Sequence, residues 1–328
     1  MKLTMWSRNS FRSATIGVLA TAALGLALTA LSTEVLKSYG GGLFVVTPYA
    51  LGLFAALAHG RTEPRALVEC LAVGSLAVGL ASAALIALAL EGAICIVMAL
   101  PLTVSLGMAG ALSGWLVQRT YRSWTGHAMS AVVLVLPLLL GVDAAERPVP
   151  PLRSVTTAVV IDAPPAVVWQ HIVEVSELPP PHELVFRVGI AYPTRAVIVG
   201  RGLGAVRRCR FSTGDFVEPI TAWEPGRRLE FDVTAQPAPM RELSPWGAIE
   251  PPHLDGFLRS ERGRFMLVRL PHERTLLRGT TWYRNRMWPQ TYWGALGDAL
   301  IHRIHGRVLT HIRRLSEASR RSEKTGLA

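Results

Sequence analysis

The stretch VTTAVVIDAPPAVVWQHIVEV, residues 155–175, opens a soluble domain and indicates its fold. Its β-branched run at 155–161 predicts a strand, because valine, isoleucine and threonine fit the pleated surface of a sheet. Asp162-Ala163-Pro164-Pro165 then ends the strand, and proline is favoured in the first turn of a helix. Residues 166–175 follow as a short amphipathic helix. The order of strand, proline turn and helix therefore begins an α+β domain.

The sequence after this helix predicts a run of antiparallel strands and a long last helix. A second short helix is expected at 182–190. Strand signals then recur at hairpin spacing, at 195–199, 205–211, 216–223, 228–235, 257–270 and 275–287. The last helix is expected at 290–319, and its apolar stripe steps by three or four residues: Trp293, Leu296, Leu300, Ile304, Val308, Ile312 and Leu315. This order is typical of a curved antiparallel sheet that grips its last helix.

The segment IDAPPAVVW, residues 161–169, resembles the opening of the SRPBCC superfamily, also called START-like or helix-grip. The turn Glu224-Pro225-Gly226, followed by Leu229 and Phe231, fits the same family. The resemblance covers about residues 155–318. It implies a deep, mostly apolar pocket between the concave face of the sheet and the last helix. The superfamily includes polyketide cyclases/dehydrases and lipid-transfer proteins, so the resemblance implies a hydrophobic ligand and no fixed set of catalytic residues.

The half of the chain before this domain predicts a membrane region at 1–143. Half of all residues are hydrophobic and the mean hydropathy is +0.32. Apolar spans are predicted at 13–31, 43–58, 66–90, 92–117 and 128–142. Those at 66–90 and 92–117 are each long enough to cross roughly 30 Å of hydrocarbon, whereas 43–58 is shorter and interrupted by Pro48. The fifth is marginal in length and contains Pro137, so a four-span alternative stays open. A proline-rich linker at 144–154 and a polar tail at 319–328 flank the soluble domain.

Arginines flank the spans at alternate ends and predict the orientation of the chain. They occur in three pairs: Arg8 with Arg12, Arg61 with Arg65, and Arg119 with Arg122. Cytoplasmic loops carry an excess of Lys and Arg, so we expect the N-terminus in the cytoplasm. Five spans then place the soluble domain outside the cytoplasm, and four place it inside. We expect five spans and a multi-pass protein of the cell membrane; cleavage of the first span as a signal peptide is an alternative.

The charge of the chain favours an anionic lipid surface as partner over nucleic acid. The net charge is +11, and +8 of it follows residue 150, where Lys324 is the only lysine. These arginines are interspersed with acidic residues and form no long basic run, so nucleic acid is not expected. The glycine cluster at 200–204 joins two strands and does not open a helix, so no dinucleotide site is expected. The oligomeric state stays open.

Titratable residues do not indicate a metal or a cofactor. Asp298, His302 and His305 stand at helical spacing, but they point away from the centre of the apolar stripe and are interpreted as a solvated face. Glu69 and Glu91 lie near span ends, where snorkelling accounts for a charge. The three cysteines are too far apart in sequence for a CxxC pair. We therefore expect no metal and no cofactor.

The candidate ligand-binding residues fall into three groups. The insertion 236–256 contributes Trp246 and His253, either as a lid that touches the membrane or as an ordinary surface loop. The run 282–288 contributes an aromatic and cationic mouth for an anionic head group, or else a sheet edge: Trp282, Tyr283, Arg284 and Arg286. Pocket walls are expected from Phe231, Trp293, Leu296, Leu300 and Ile304.

These features predict a membrane-anchored carrier or sensor that holds a lipid or other hydrophobic small molecule in a helix-grip cavity. One alternative is a cyclase/dehydratase-type enzyme on an apolar membrane-borne substrate, with Tyr283 or His253 as acid or base. Another is a module whose soluble domain docks a protein partner. A filled apolar pocket would separate the first two hypotheses from the third.

Overall fold

The computed structural model describes residues 8–121, 123, 125–146 and 149–324, and these divide into two compact units. The first unit contains the described residues up to Val149 together with Glu242–Pro252 and Met287–Pro289. The second contains Pro150–Arg241, His253–Arg286 and the described residues from Gln290 onward. Arg122, Arg147 and residues 325–328 of the predicted tail lie outside the described residues.

The first unit is built on apolar helices. They are α1 (Arg8–Ala30), α2 (Thr47–His59), α3 (Leu67–Ala87), α4 (Ala93–Thr120) and α5 (Thr125–Ala145), with π-helical turns at Leu31–Val35 and Gly42–Val46. Within the described ranges, five helical segments are long and apolar enough to cross a membrane: Asn9–Val35, Gly42–His59, Leu67–Ala87, Ala93–Thr120 and Thr125–Ala145. The fifth continues through Pro137. The prediction of five apolar helices is confirmed.

Glycines let α2 and α4 approach each other closely. A Cβ atom on Gly52 would lie 1.8 Å from the carbonyl oxygen of Gly107, and one on Gly110 would lie 1.8 Å from that of Tyr49. Any larger side chain at these positions would collide with backbone. Close approach through small residues is a common way for apolar helices to pack, because it maximises van der Waals contact between them.

The two acidic residues near span ends are held inside the first unit, which corrects the snorkelling interpretation. Glu91 is buried, and the Tyr39 hydroxyl donates to its Oε1 at 2.5 Å. Glu69 Oε2 lies 3.5 Å from Nε2 of the buried His59. A partner within the protein thus replaces the water that a snorkelling carboxylate would reach.

A short hairpin from the insertion completes the first unit. Its strands are β6 (Glu242–Ser244) and β7 (Gly247–Ile249). The buried Glu242 carboxylate accepts hydrogen bonds from the backbone N–H groups of Ile94 (3.0 Å) and Cys95 (2.8 Å), in the first turn of α4. These groups have no partner within the helix, and the N-terminal end of a helix dipole favours negative charge. Glu242 therefore supplies the hydrogen-bond acceptors for the free N–H groups at the start of α4.

The second unit is a curved antiparallel sheet with a long C-terminal helix. Its strands are β1 (Arg153–Ile161), β2 (Pro193–Val199), β3 (Val206–Phe211), β4 (Gly214–Glu224), β5 (Arg228–Asp232), β8 (Leu258–Leu270) and β9 (Arg274–Asn285). Across the described part of this unit, the strands form one sheet in the order β1-β9-β8-β5-β4-β3-β2. Its helices are α6 (Pro165–Val173), α7 (Leu184–Arg187) and α8 (Gln290–Lys324). The predicted helix-grip fold is confirmed.

The core of the second unit joins the helices to the sheet. Its fully buried members include Val168 and Ile172 of α6, Leu229 and Leu277 of the sheet, and Ile312 of α8. Three local predictions differ from the structure: the helix expected at 182–190 is the four-residue α7, the strand at 228–235 ends at Asp232, and α8 runs past 319 to Lys324. The residue at which a helix or strand ends depends on tertiary packing, which the periodicity of the sequence does not encode.

Candidate functional site

The second unit contains a cavity of about 160 Å³ between its sheet and α8. Four phenylalanines from the strands line it: Phe211, Phe216, Phe231 and Phe265. α8 contributes Leu300, Ile301, Ile304, Val308 and Leu309, and the segment 236–240 contributes the other wall. The lining is mostly apolar with a few polar side chains, which is the usual composition of a small-molecule site.

Four of the predicted pocket residues are brought together at this cavity: Phe231, Tyr283, Leu300 and Ile304. The ring of Phe231 packs against that of Phe265 with 6.3 Å between centroids. Leu300 and Ile304 are one turn apart on α8 and so lie on the same face of the helix.

Of the predicted aromatic and cationic mouth, only Tyr283 lines the cavity; Trp282, Arg284 and Arg286 do not. Trp282 and Arg284 alternate with Tyr283 along β9, so they lie on the opposite face of the sheet. The Arg262 guanidinium lies 4.3 Å from the centroid of the Trp282 ring. Arg284 Nη1 donates to the carbonyl oxygen of Pro150 at 2.5 Å, and Arg286 is exposed just after the strand ends. These two arginines therefore do not form a mouth of this cavity.

The four other candidates also lie outside the lining. Trp246 belongs to the first unit, where its indole N–H donates to the carbonyl oxygen of Ala87 at 2.7 Å and 77% of the residue is exposed. His253 is buried in the 3-10 turn Pro252–Leu254.

Trp293 and Leu296 precede Gly297, where an added Cβ would lie 2.9 Å from the Tyr283 hydroxyl oxygen. The Tyr283 ring fills this end of the second unit, so the cavity begins one turn later on α8.

Tyr283 is anchored by a polar cluster that joins β9, α8 and β1. Its hydroxyl donates to Asp298 Oδ1 at 2.7 Å, and Arg153 Nη2 donates to Asp298 Oδ2 at 2.5 Å. Burial raises the pKa of the Tyr283 hydroxyl. Burial would also raise the pKa of Asp298, but hydrogen bonds from Arg153 and Tyr283 outweigh that effect and lower it. Asp298 is thus a structural partner of Tyr283 and not part of a solvated face.

His305 lines the cavity, which also corrects the solvated-face interpretation. Its Nε2 lies 2.8 Å from Thr281 Oγ1, and its Nδ1 lies 3.1 Å from Thr157 Oγ1. His302 is more exposed and bonds the same Thr157 hydroxyl. Burial, with a smaller effect of His302, lowers the pKa of His305 to about 4. The face that α8 packs against the sheet is therefore wider than the apolar stripe and includes His305.

Replacing His305 with glutamine is expected to flatten the loss of stability in acid. The folded-state pKa of about 4 lies below the ordinary value of 6.5, so the unfolded chain binds the proton first. The neutral His305 ring makes its full contribution to the free energy of unfolding above pH 6.5. This contribution is lost as the pH falls towards 4, and the loss is up to about 3 kcal/mol. Free energies of unfolding in detergent between pH 7 and pH 4 would measure the difference between the two proteins. Equal pH slopes would contradict the assignment.

A buried ion pair faces the cavity from two neighbouring strands. Arg207 of β3 is the register partner of Glu218 of β4, and the Arg207 guanidinium donates to Glu218 Oε2. Exposed fractions of the two residues are only 4% and 5%. The guanidinium carbon lies 4.8 Å from the Phe231 ring centroid. Burial raises the pKa of the Glu218 carboxyl, and the Arg207 charge opposes that shift.

The ion pair places two opposite charges in the wall of a mostly apolar cavity. Arg207 Nε is buried and has no hydrogen-bond partner among the described residues. Beside it, burial raises the pKa of the Cys209 thiol to about 12, so this thiol stays protonated near neutral pH. Sequence analysis missed both charged residues. The signal was present in the alternation of β3, where Arg207 shares its face with Cys209 and Phe211.

Comparison with known proteins gave one family match, which agrees with this fold, and a set of similar solved structures. Residues 153–256 match the family described as polyketide cyclase / dehydrase and lipid transport. A crystal structure of a protein from Chromobacterium violaceum is similar at 13% identity and a TM-score of 0.34, over 50% of this chain and 96% of that one. A norcoclaurine synthase point mutant from Thalictrum flavum, in complex with a transition-state analogue, is similar at 9% identity and a TM-score of 0.34, over 52% and 98%. No curated protein matches the chain significantly in sequence.

The family match confirms the predicted resemblance for the second unit, which is a helix-grip domain of the SRPBCC class. It supports a hydrophobic ligand in the cavity of that domain. The five apolar helices of the first unit are consistent with membrane localisation.

Proposed function

We propose that this protein is anchored in a membrane by its five apolar helices and carries a lipid or other hydrophobic small molecule in its helix-grip cavity. The observation that carries the proposal is an apolar cavity of about 160 Å³ with one buried ion pair in its wall. Apolar cavities of roughly 150 Å³ in other proteins stay dry and bind molecules the size of benzene. The enclosed part of the ligand is therefore one ring or a short length of chain.

The ligand presents a neutral oxygen to Arg207. Arg207 Nε is a buried donor within the lining and leaves a hydrogen bond for a ligand to complete. The opposed charges of Arg207 and Glu218 already balance each other. A ligand carboxylate would add an uncompensated charge to a buried site, which is costly. A hydroxyl or carbonyl oxygen completes the bond without that penalty, so we infer an apolar molecule with such a group at its buried end.

Replacing Leu300 with tryptophan is expected to reduce ligand occupancy about tenfold, because an indole in a filled cavity costs on the order of 1–3 kcal/mol. Native mass spectrometry of the detergent-purified full chain would measure occupancy by the mass of a co-purifying small molecule. Leu184→Trp is the matched control, since Leu184 is exposed on α7. Wild-type protein with no bound molecule, or equal occupancy in the two variants, would argue against the cavity as the binding site.

The membrane orientation is part of the same proposal: cytoplasmic N-terminus, five crossings and an extracytoplasmic second unit. It rests on the alternation of arginine-rich ends and on the apolar character of Thr125–Ala145. Alkaline phosphatase fused after Val149 is expected to be active, and a green fluorescent protein fused at the same place is expected to be dark. The reverse pair of results would indicate four crossings and a cytoplasmic second unit.

A further inference from the structure

The outer face of the β2–β3 hairpin in the second unit carries exposed apolar side chains. Val197 is 40% exposed and Val199 is 62% exposed on β2, which is an edge strand of the sheet. Leu203, in the connection to β3, is 72% exposed. Gly202 and Gly204, on either side of Leu203, have φ of +84° and +79°, so the tight turn suits glycine. The backbone conformation of this turn therefore holds Leu203 exposed at the tip of the hairpin.

Arginines surround these apolar side chains. Arg195, Arg201 and Arg208 are all exposed, and none of their side chains forms an ion pair or hydrogen bond with a described residue. In the sheet register Arg208 stands opposite Val197, and Arg195 stands opposite Arg210. Arg210 pairs with Asp215 at 3.3 Å. We call the set Arg195, Val197, Val199, Arg201, Leu203 and Arg208 the hairpin face; its charge is wholly positive.

We propose that the hairpin face binds the surface of an anionic lipid bilayer. Guanidinium groups meet lipid phosphates with paired hydrogen bonds, and a cation near an anionic leaflet gains roughly 1 kcal/mol. Exposed Val199 and Leu203 add apolar area that enters the interface between head groups and acyl chains. The combination of unpaired cations with projecting apolar side chains matches a bilayer better than it matches nucleic acid, which offers no comparable apolar surface. This role is independent of the cavity and of its ligand.

The test uses the full chain in nanodiscs of phosphatidylcholine, with Leu203→Cys carrying an environment-sensitive fluorophore. The three native cysteines are buried, so labelling is selective. Titration with vesicles of mixed phosphatidylcholine and phosphatidylglycerol is expected to shift the emission to the blue and protect the probe from iodide. Vesicles of phosphatidylcholine alone are expected to leave it unchanged. In a second arm, the protein is placed in nanodiscs that contain phosphatidylglycerol. The same blue shift and iodide protection, without added vesicles, would then report binding of the hairpin face to the bilayer that holds the protein.

Charge variants distinguish binding by the hairpin face from a general electrostatic attraction between a basic protein and an anionic membrane. Arg201→Gln with Arg208→Gln is expected to weaken vesicle binding about 30-fold, which is about fivefold per arginine. Arg259→Gln with Arg303→Gln removes the same charge from exposed positions on β8 and α8 and is expected to change it little. Val160→Cys, labelled on the opposite edge strand β1, is expected to report water throughout.

Three results would overturn the proposal. One is a Leu203 probe that stays in water with both kinds of lipid, or that responds equally to both. Another is equal weakening by the two pairs of arginine substitutions. The third is a blue shift that grows with protein concentration in the absence of vesicles, which would assign the hairpin face to contact between copies of the chain.

Discussion

Replacing Arg207 with leucine is expected to destabilise the second unit by about 3–5 kcal/mol, because the change leaves the Glu218 carboxylate buried without its counter-charge. Only 5% of Glu218 is exposed, so water cannot substitute for the guanidinium. Denaturant unfolding in detergent, followed by tryptophan fluorescence, to which the packed pair Trp169 and Trp223 contributes, would report the change. Arg208→Leu is the matched control: the same chemical change at the next, exposed residue is expected to alter stability by less than about 0.5 kcal/mol.

A double substitution and the pH dependence identify the cause of this loss. Arg207→Leu with Glu218→Leu removes both charges and is expected to recover most of the stability, because replacing a whole buried pair by apolar residues is often neutral. Burial raises the pKa of Glu218. The single variant should therefore regain stability as pH falls and the carboxyl takes up a proton in the folded state. A double variant as unstable as the single one would show that the loss comes from packing and not from charge.

Replacing Glu242 with alanine is expected to destabilise the first unit by about 3 kcal/mol or more. The substitution leaves the N–H groups of Ile94 and Cys95 without their acceptor, and each charge-assisted hydrogen bond is worth roughly 1.5–3 kcal/mol. Glu242→Gln keeps one acceptor oxygen and loses the charge beside the helix dipole, so its effect should be intermediate. Thermal unfolding in detergent would rank the variants.

Limited proteolysis would localise the effect of Glu242 to the hairpin β6–β7. With its carboxylate gone, the segment Glu242–Ile249 loses its bonds to the start of α4 and should be cleaved faster than in the wild-type protein. Glu250→Ala is the control, since Glu250 is exposed and directly follows this segment. Equal melting temperatures and equal cleavage for Glu242→Ala and Glu250→Ala would show that the cap contributes little.

A part of the cavity wall could be predicted because it depends on local periodicity. Leu300 and Ile304 follow the helical repeat of α8, and Phe231 follows the alternation of β5, so both patterns pointed to residues that line the cavity. The same alternation separates Tyr283 from Trp282 and Arg284. Grouping those neighbours as one pocket mouth ignored the rule that successive strand residues face opposite ways.

Periodic patterns alone could not decide which charged residues are buried inside the second unit, even where the alternation of β3 placed Arg207 on the same face as Cys209 and Phe211. Arg207 lies in the run Arg207-Arg208-Cys209-Arg210, which has the composition of a solvated strand. It is buried because its register partner is Glu218 and because the Phe231 and Phe265 rings pack against the guanidinium. Likewise His305 and Asp298 lie off the centre of the apolar stripe, yet threonines and Tyr283 on facing strands hold them. The pairing of β3 with β4 supplies the partner of Arg207, and the packing of α8 against the sheet supplies those of His305 and Asp298.

The sequence by itself determined the five apolar helices, the antiparallel strands, the long last helix and the helix-grip family. Each depends on hydrophobic content and on the periods of helix and strand, which the chain carries locally. Only the tertiary structure decided that the insertion hairpin caps α4 through Glu242, that an Arg207–Glu218 pair lies in the cavity wall, and that Arg284 faces away from it. A charged side chain is stable in the interior only when a partner compensates its desolvation, and that partner is supplied by the folded chain.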